Sequence, residues 1–411
     1  MELKTISVPN KTDLEGHNAM TKIAKLPALS ILSLSLLTMA TGATAGTISE
    51  IGREFTQASQ ATVELTVTMP SMTMAIFIII SNFLIKKTGT KKVIIAGLTL
   101  VLLSTILSLV SPTIGMLLVA RALLGAGIGL FNSLAVSLID YLYQGQIREK
   151  LLGYQNTFQG IGATVGALLV SGLLAIFNWR LAFAIYLISV PILFLNWRYV
   201  PNVNYAPQKS QASPAHLDVK MAKSAKWAFG YYFGILFCLM VAYMTINVKV
   251  PSLIVDQHLS TPAVGSMAIV VMSIGTIIGG AAYGKVLKLL GNYMMAVVIL
   301  LMVAAFLTIG FGGHLSAVLV GTFIVGGSFG LYVPLIFSRA LSIVPPARSN
   351  DGSTLLLIGS NLANFLCPYI DKALNPGRDE SQLFLMVAMI LGVVLVIEFV
   401  KSIRVRESVT G

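Results

Sequence analysis

Asn82-Phe-Leu-Ile-Lys86-Lys87-Thr-Gly89-Thr-Lys91-Lys92 sets four lysines and a glycine between two long apolar runs. A weaker echo follows at Gly284-Lys-Val-Leu-Lys288-Leu-Leu-Gly291-Asn-Tyr293. Lys86 and Lys288 are 202 residues apart, and so are Gly89 and Gly291. A basic turn that recurs at one spacing implies a duplicated half.

The flanking runs decide the class. Of 411 residues, 56% are hydrophobic and 11% are charged, against about 25% charged in soluble domains. Such a chain cannot cover itself with polar surface, so its solvent is a bilayer. Lipid offers backbone groups no partners, which leaves helices or closed barrels. The apolar runs are continuous rather than alternating, so helices are expected. The net charge of +12 does not indicate nucleic acid as a partner, because the basic residues sit in short loops between apolar runs. Cys238 and Cys367 both lie inside apolar runs and read as small buried hydrophobes, not a disulfide or a metal site.

A spanning helix needs roughly 20 apolar residues. Spans are expected at 26–48, 62–85, 92–111, 114–141, 151–177 and 181–200, then 227–255, 263–289, 292–313, 315–344, 351–372 and 381–402. The domain reading is a tail over 1–25, six helices over 26–200, a polar linker over 201–226, six helices over 227–402 and a tail over 403–411. The N-tail, the 86–92 hinge, 148–150, the linker with Arg198, the 285–288 turn, Arg339, Arg348 and the C-tail hold 22 of the 28 Lys and Arg residues. The positive-inside rule then puts both termini and the linker in the cytoplasm. The repeat extends beyond the hinge: Gly125-Ala-Gly-Ile-Gly129-Leu-Phe131 resembles Gly326-Gly-Ser-Phe-Gly330-Leu-Tyr332, 201 residues later. Parallel halves imply two six-helix bundles about a pseudo-twofold axis along the membrane normal.

These residues resemble the major facilitator superfamily, and most of all its drug–proton antiporter branch. The loop after span two is similar to the family's Gly-x-x-x-Asp-Arg-x-Gly-Arg-Lys signature, with Gly89, Lys91 and Lys92 in register. It departs at Asn82, Lys86, Lys87 and Thr90. Arg121-Ala-Leu-Leu-Gly125 is similar to the Arg-x-x-Gln-Gly motif, with Leu124 for Gln. Gly162-Ala-Thr-Val-Gly166-Ala resembles the exporter motif Gly-Pro-x-x-Gly-Gly, with Ala163 for Pro. Asn178-Trp179-Arg180, followed by Val190-Pro191, looks like the usual entry to span six. The resemblance implies an all-α membrane protein of twelve helices, with no enzymatic reaction and no cofactor. The expected energy source is the proton gradient. The expected form is a monomer in a bacterial cell membrane that carries a small molecule.

The same resemblance implies a cytoplasmic gate at Lys86, Lys87, Gly89 and Lys91, with Asp140 as the acidic partner of Lys87 or Lys91. The alternative is a solvated anchor on anionic headgroups. A charge at the depth of Arg121 costs roughly 2.5–3.5 kcal/mol or more, so it faces a cavity or a partner. Glu64 enters span two at a comparable depth, and the two could approach and share proton coupling. Asp256 and Asp371 sit at outer helix ends, where solvation accounts for them. Glu398 with Lys401 at i+3 reads as a surface pair. Lys249 precedes Pro251 in what reads as a broken, polar stretch of span seven, with Tyr243 and Asn247 before it; it either meets substrate or snorkels outward. Asn361 and Asn364 share one helix face, as do Asn156 and Gln159, and each pair either lines a cavity or joins helices. Met69, together with Asn132 and Tyr332, completes the cavity candidates.

Two functions fit: export of small amphipathic compounds against protons, or uptake of a polar nutrient such as a sugar or organic acid. A membrane enzyme is disfavoured, because no nucleophile–base arrangement or metal cluster is evident.

Overall fold

The lysine hinge turns on Gly89, whose φ of 83° is one that side-chained residues rarely adopt. Its echo turns on Gly291, with φ 51°. Each glycine ends a long helix with a positive φ, but the turns differ beyond that: ψ is 159° at Gly89 and −117° at Gly291, and a 3-10 turn precedes the next helix only after Gly291.

The computed structural model describes residues 25–39, 41–143, 145–200, 223–345, 349–377 and 380–410. The elements are α1 (Lys25–Met39), a 3-10 segment (Gly42–Thr47) and α2 (Ile48–Glu54), then α3 (Gln60–Thr88), α4 (Thr90–Leu109), α5 (Ile114–Leu142) and α6 (Gly145–Ile176). Next come α7 (Trp179–Ala182), a second 3-10 segment (Phe183–Ile188) and α8 (Ser189–Tyr199). After the linker follow α9 (Lys223–Asp256), α10 (Pro262–Leu290), a 3-10 turn (Gly291–Tyr293), α11 (Met294–Gly312), α12 (Leu315–Ile343), α13 (Ser349–Leu374) and α14 (Glu380–Thr410). No strand occurs among the described residues.

Among the described residues, eleven stretches are long and apolar enough to cross a membrane. One of them, Pro262–Gly312, has 51 residues. At 1.5 Å per residue a straight helix of that length would span about 75 Å, far beyond a hydrocarbon core of about 30 Å. The turn at Gly291 divides it into α10 and α11, of 29 and 19 residues, each about the length of one crossing.

The first and sixth crossings are interrupted by 3-10 turns, where uniform helices are expected from the apolar runs. In the first, threonines recur every third residue, the period of a 3-10 helix. Thr44 Oγ1 donates to the Thr41 carbonyl at 3.1 Å and Thr47 Oγ1 to the Thr44 carbonyl at 2.7 Å. These local bonds compete with the α-helical ladder. The helix α14 continues to Thr410, past the expected end at 402.

The glycine motifs repeat as packing. A Cβ on Gly125 would lie 2.0 Å from the Pro70 carbonyl oxygen, and one on Gly129 2.7 Å from that of Met74. In the second set, Gly326 meets the Met272 oxygen at 1.9 Å and Gly330 the Thr276 oxygen at 2.4 Å. Thus α5 seats on α3 as α12 seats on α10, backbone against backbone, through glycines 201 residues apart.

The helices before and after the linker meet at the ends remote from Gly89 and Gly291. There Ser171 Oγ near the end of α6 donates to the Ala263 carbonyl at the start of α10, at 2.7 Å. Gly46 lies so close to α10 that a Cβ would fall 1.6 Å from Ser266 Oγ, and Gly42 faces Asn247 on α9.

Gly326→Ala is expected to destabilise the protein by about 1–3 kcal/mol, the usual range for overpacking, since the obstacle is backbone. Gly280→Ala, with nothing within 4 Å of the added carbon, is expected to be neutral. Thermal unfolding of the two purified variants in one detergent makes the comparison.

Candidate functional site

A carboxylate and an ammonium meet where the two sets of helices close. Glu64 lies one turn into α3, whose start is capped by Ser59, the side chain of which accepts from the Thr62 amide. Lys249 lies near the end of α9. Its Nζ donates to Glu64 Oε1 at 2.6 Å. Glu64 is 1% exposed and Lys249 8%. Gln60, one turn before Glu64, also reaches the carboxylate. The helix α9 runs unbroken through Pro251, so the expected broken stretch is absent. Lys249 neither snorkels nor lines an unwound segment.

The pair opens onto a small cavity, about 70 Å³, also lined by Ser59, Pro368, Asp371, Lys372, Asn375 and Glu380. Asp371 is 1% exposed. Thr245 Oγ1 donates to its Oδ1 at 2.9 Å, and Cys367 Sγ to its Oδ2 at 3.4 Å. The expected hydrated helix end is therefore a buried carboxylate. It lies at the end of α13, but α9 packs over that end and takes the place of water. Both oxygens of Glu380, the first residue of α14, are buried without a hydrogen-bond partner.

Arg121, two turns into α5 and 0% exposed, sits apart from this group. The expected approach of Glu64 and Arg121 does not occur; each has other partners. Arg121 Nε donates to the Thr66 carbonyl at 2.7 Å, and Nη2 donates to Thr44 Oγ1 at 3.1 Å and Tyr186 Oη at 3.4 Å. Its guanidinium lies 5.0 Å from the Phe183 ring centroid and 5.3 Å from that of Tyr186. Thr44 belongs to the first 3-10 segment, and Phe183 and Tyr186 to the second. The cation is thus held by neutral oxygens and ring faces, and its Nη1 has no partner.

The remaining candidates separate. Asn247 is buried with an unpartnered Oδ1. Asn361 donates to the Leu357 carbonyl of its own helix at 2.9 Å, whereas Asn364 keeps an unpartnered Oδ1. Asn132 is half-buried against Met74 Sδ at 3.8 Å. Tyr243 stacks on Phe329 at 4.2 Å. Tyr332 is not a cavity residue: it is fully buried, and its hydroxyl donates to the Leu239 carbonyl at 3.3 Å. Met69 is half-buried, but Met72 is exposed and Met74 buried, so the three do not converge on one pocket. Gln159 is half-buried. At the hinge, Lys86 and Lys87 are exposed and Lys91 half-buried. The side chains of Asp140 and Asn156 lie outside the described residues.

Two clusters escaped the sequence reading. Glu54 accepts from Trp179 Nε1 at 2.7 Å and from both terminal nitrogens of Arg180, tying the first crossing to the sixth. Glu398 is not a surface residue. Tyr231 Oη donates to its Oε1 at 2.5 Å, and the Lys401 ammonium, 3.8 Å from the same oxygen, lies over the Tyr231 ring at 3.9 Å.

Comparison with known proteins places this geometry. The methylenomycin A resistance protein of Streptomyces coelicolor is 29% identical over 159 residues, 36% of this chain and 31% of that protein. The major facilitator superfamily multidrug transporter mfsC of Aspergillus fumigatus is 32% identical over 120 residues, 29% of this chain and 23% of that one. The chain thus spans a third or less of the length of these two relatives. The crystal structure of peptide transporter POT shares the fold, with a TM-score of 0.75 at 15% identity over 94% of this chain and 96% of that one. The family model described as Major Facilitator Superfamily matches residues 30–368. Its match covers both repeated glycine motifs and both members of the buried ion pair, and the chain belongs to that superfamily of multi-pass membrane transporters, which are not enzymes and use no cofactor.

Proposed function

We propose that the chain exports small amphipathic organic compounds in exchange for protons, by alternating access between two six-helix halves over 26–200 and 227–402. The observation that carries this reading is the Glu64–Lys249 pair, 2.6 Å long, buried, and joining one half to the other. A buried ion pair offsets its desolvation only while both partners stay together. Parting the halves on that side separates them, and a carboxylate left alone in a dry wall is neutralised by a proton. Closing restores the ammonium and displaces the proton. Proton binding is thereby tied to which side is open.

Direction is supported by the resistance and multidrug names of the two relatives, together with the degenerate exporter motif at Gly162–Ala167. The excess of Lys and Arg assigns the hinges and both termini to the cytoplasm. On that assignment the Glu64–Lys249 pair closes the outward side. Asn247 and Asn364 are the polar groups assigned to the substrate path, since each keeps a buried oxygen without a partner. Lys86, Lys87 and Lys91 with Asp140 remain the gate on the hinge side.

In everted vesicles with an acid interior, the wild-type protein is expected to accumulate members of a panel of amphipathic dyes, and Glu64→Gln to abolish the dependence on the pH gradient. Dye accumulation that survives collapse of the gradient would exclude proton coupling.

Arg121→Lys keeps the charge but loses the guanidinium fork. Two charge-assisted hydrogen bonds at roughly 1.5 kcal/mol each set an expected loss of about 3 kcal/mol in stability. Tyr186→Phe, removing only the 3.4 Å contact, should cost below about 1 kcal/mol. Thermal unfolding of both variants beside wild type measures the difference.

A further inference from the structure

The cavity opposite the hinges holds more carboxylate than the ion pair uses. Of its charged residues, Glu64 alone comes from the helices before the linker. Lys249 on α9, Asp371 and Lys372 on α13 and Glu380 on α14 all come from those after it. Parting the two sets therefore removes only Glu64 from Lys249. We propose that Asp371 and Glu380 form a second seat for the Lys249 ammonium, taken up when the halves separate on this side. The inference rests on the reading of Glu64 as the proton carrier.

Three observations support the seat. Asp371 is already oriented: its oxygens are held by Thr245 and Cys367, and Thr245 precedes Lys249 by four residues, one turn away on the same face of α9. Glu380 has both oxygens buried with no donor, so it has unused capacity for the hydrogens of an ammonium. Both carboxylates already act on the Lys249 charge electrostatically. Outside the cavity, Asp256 acts on Glu380, and Arg53 and His258 act on Asp256.

The exchange balances simply. On opening, the ammonium keeps its three hydrogens and moves from Glu64 to Asp371 and Glu380. The Glu64 carboxylate takes one proton from the solvent that enters. On closing, the ammonium returns, and that proton leaves toward the hinge side. No proton passes between lysine and glutamate. Without the second seat, opening would leave the ammonium beside Lys372 with no carboxylate to replace Glu64, and the open state would be less populated.

Ala61 lines the same cavity, so Ala61→Cys in the full-length protein reports opening through its labelling rate by a membrane-impermeant maleimide. The parent lacking this change is run beside it to account for Cys238 and Cys367. Asp371→Asn with Glu380→Gln is expected to slow labelling at least about tenfold, because opening now leaves a buried charge unpaired. Glu380→Gln alone, whose carboxylate has no hydrogen bond to lose, should slow it by less and still fold. Adding Lys249→Met to the double variant should restore the rate, which a merely structural role for the carboxylates would not do. Labelling of the double variant at the wild-type rate or faster, or no recovery with Lys249→Met, overturns the second seat. The carrier reading fails separately: it falls if dye accumulation driven by the pH gradient survives Glu64→Gln.

Discussion

A charge inside a low-dielectric protein must be matched, and this fold places its charges by that constraint. The Glu64–Lys249 pair is matched across the seam between the helices before and after the linker. Glu398 is matched within the later set by Tyr231 and Lys401. Arg121 is matched by a carbonyl, two hydroxyls and two rings. Only the first arrangement is broken by relative movement of the two sets. Charges placed within one set stabilise it as a body, whereas a charge pair placed between sets makes their separation depend on solvent and protons. The same interaction that closes the seam also gives it a chemical control.

Glycine packing supplies the mechanical counterpart. The seats of α5 on α3 and of α12 on α10 are backbone to backbone, too close for any added Cβ to sit without displacement. Such contacts hold each pair as a unit. The seam adds side chains to helix packing: α6 lies on α10 and α3 on α13, joined by bonds such as Ser171 to Ala263 and by the Glu64–Lys249 pair. Of these contacts, the ion pair is the one whose separation solvent and protons control.

Much of this was legible in the sequence. The hinge and its echo marked the glycines with positive φ, and the glycine motifs marked the seats, because both are local signals repeated at one spacing. The all-helical membrane class followed from composition. The ion pair was not legible. Its members are 185 residues apart; by sequence alone Glu64 matches Arg121 instead, and Lys249 reads as a substrate contact or a snorkelling side chain. Position along a helix was the misleading guide for two others: Asp371 lies near the end of α13, and Glu398 near the expected end of the last span, yet α9 covers both. Burial there depends on which neighbour packs over the end, which no local pattern encodes. One missed feature did have a signal. Thr38, Thr41, Thr44 and Thr47 recur every third residue, the 3-10 period, in a run otherwise read as a uniform helix.

That run connects the two parts of the site. Thr44 holds Arg121, and Gly46, two residues on in the same 3-10 segment, forms the close contact with Ser266 on α10. Gly42, at its start, faces Asn247, two residues before Lys249 on α9. A 3-10 segment has poorer hydrogen-bond geometry than an α-helix and changes conformation at lower cost. The second such segment, carrying Phe183 and Tyr186, grips the other side of the guanidinium. The buried cation is therefore clamped by the two least regular stretches among the first six crossings, and one of them is itself part of the seam. Separation at Gly46 and Ser266 must alter the surroundings of a turn whose Thr44, two residues earlier, is bonded to Arg121. The guanidinium, with one nitrogen still unpartnered, has a donor free to meet that change.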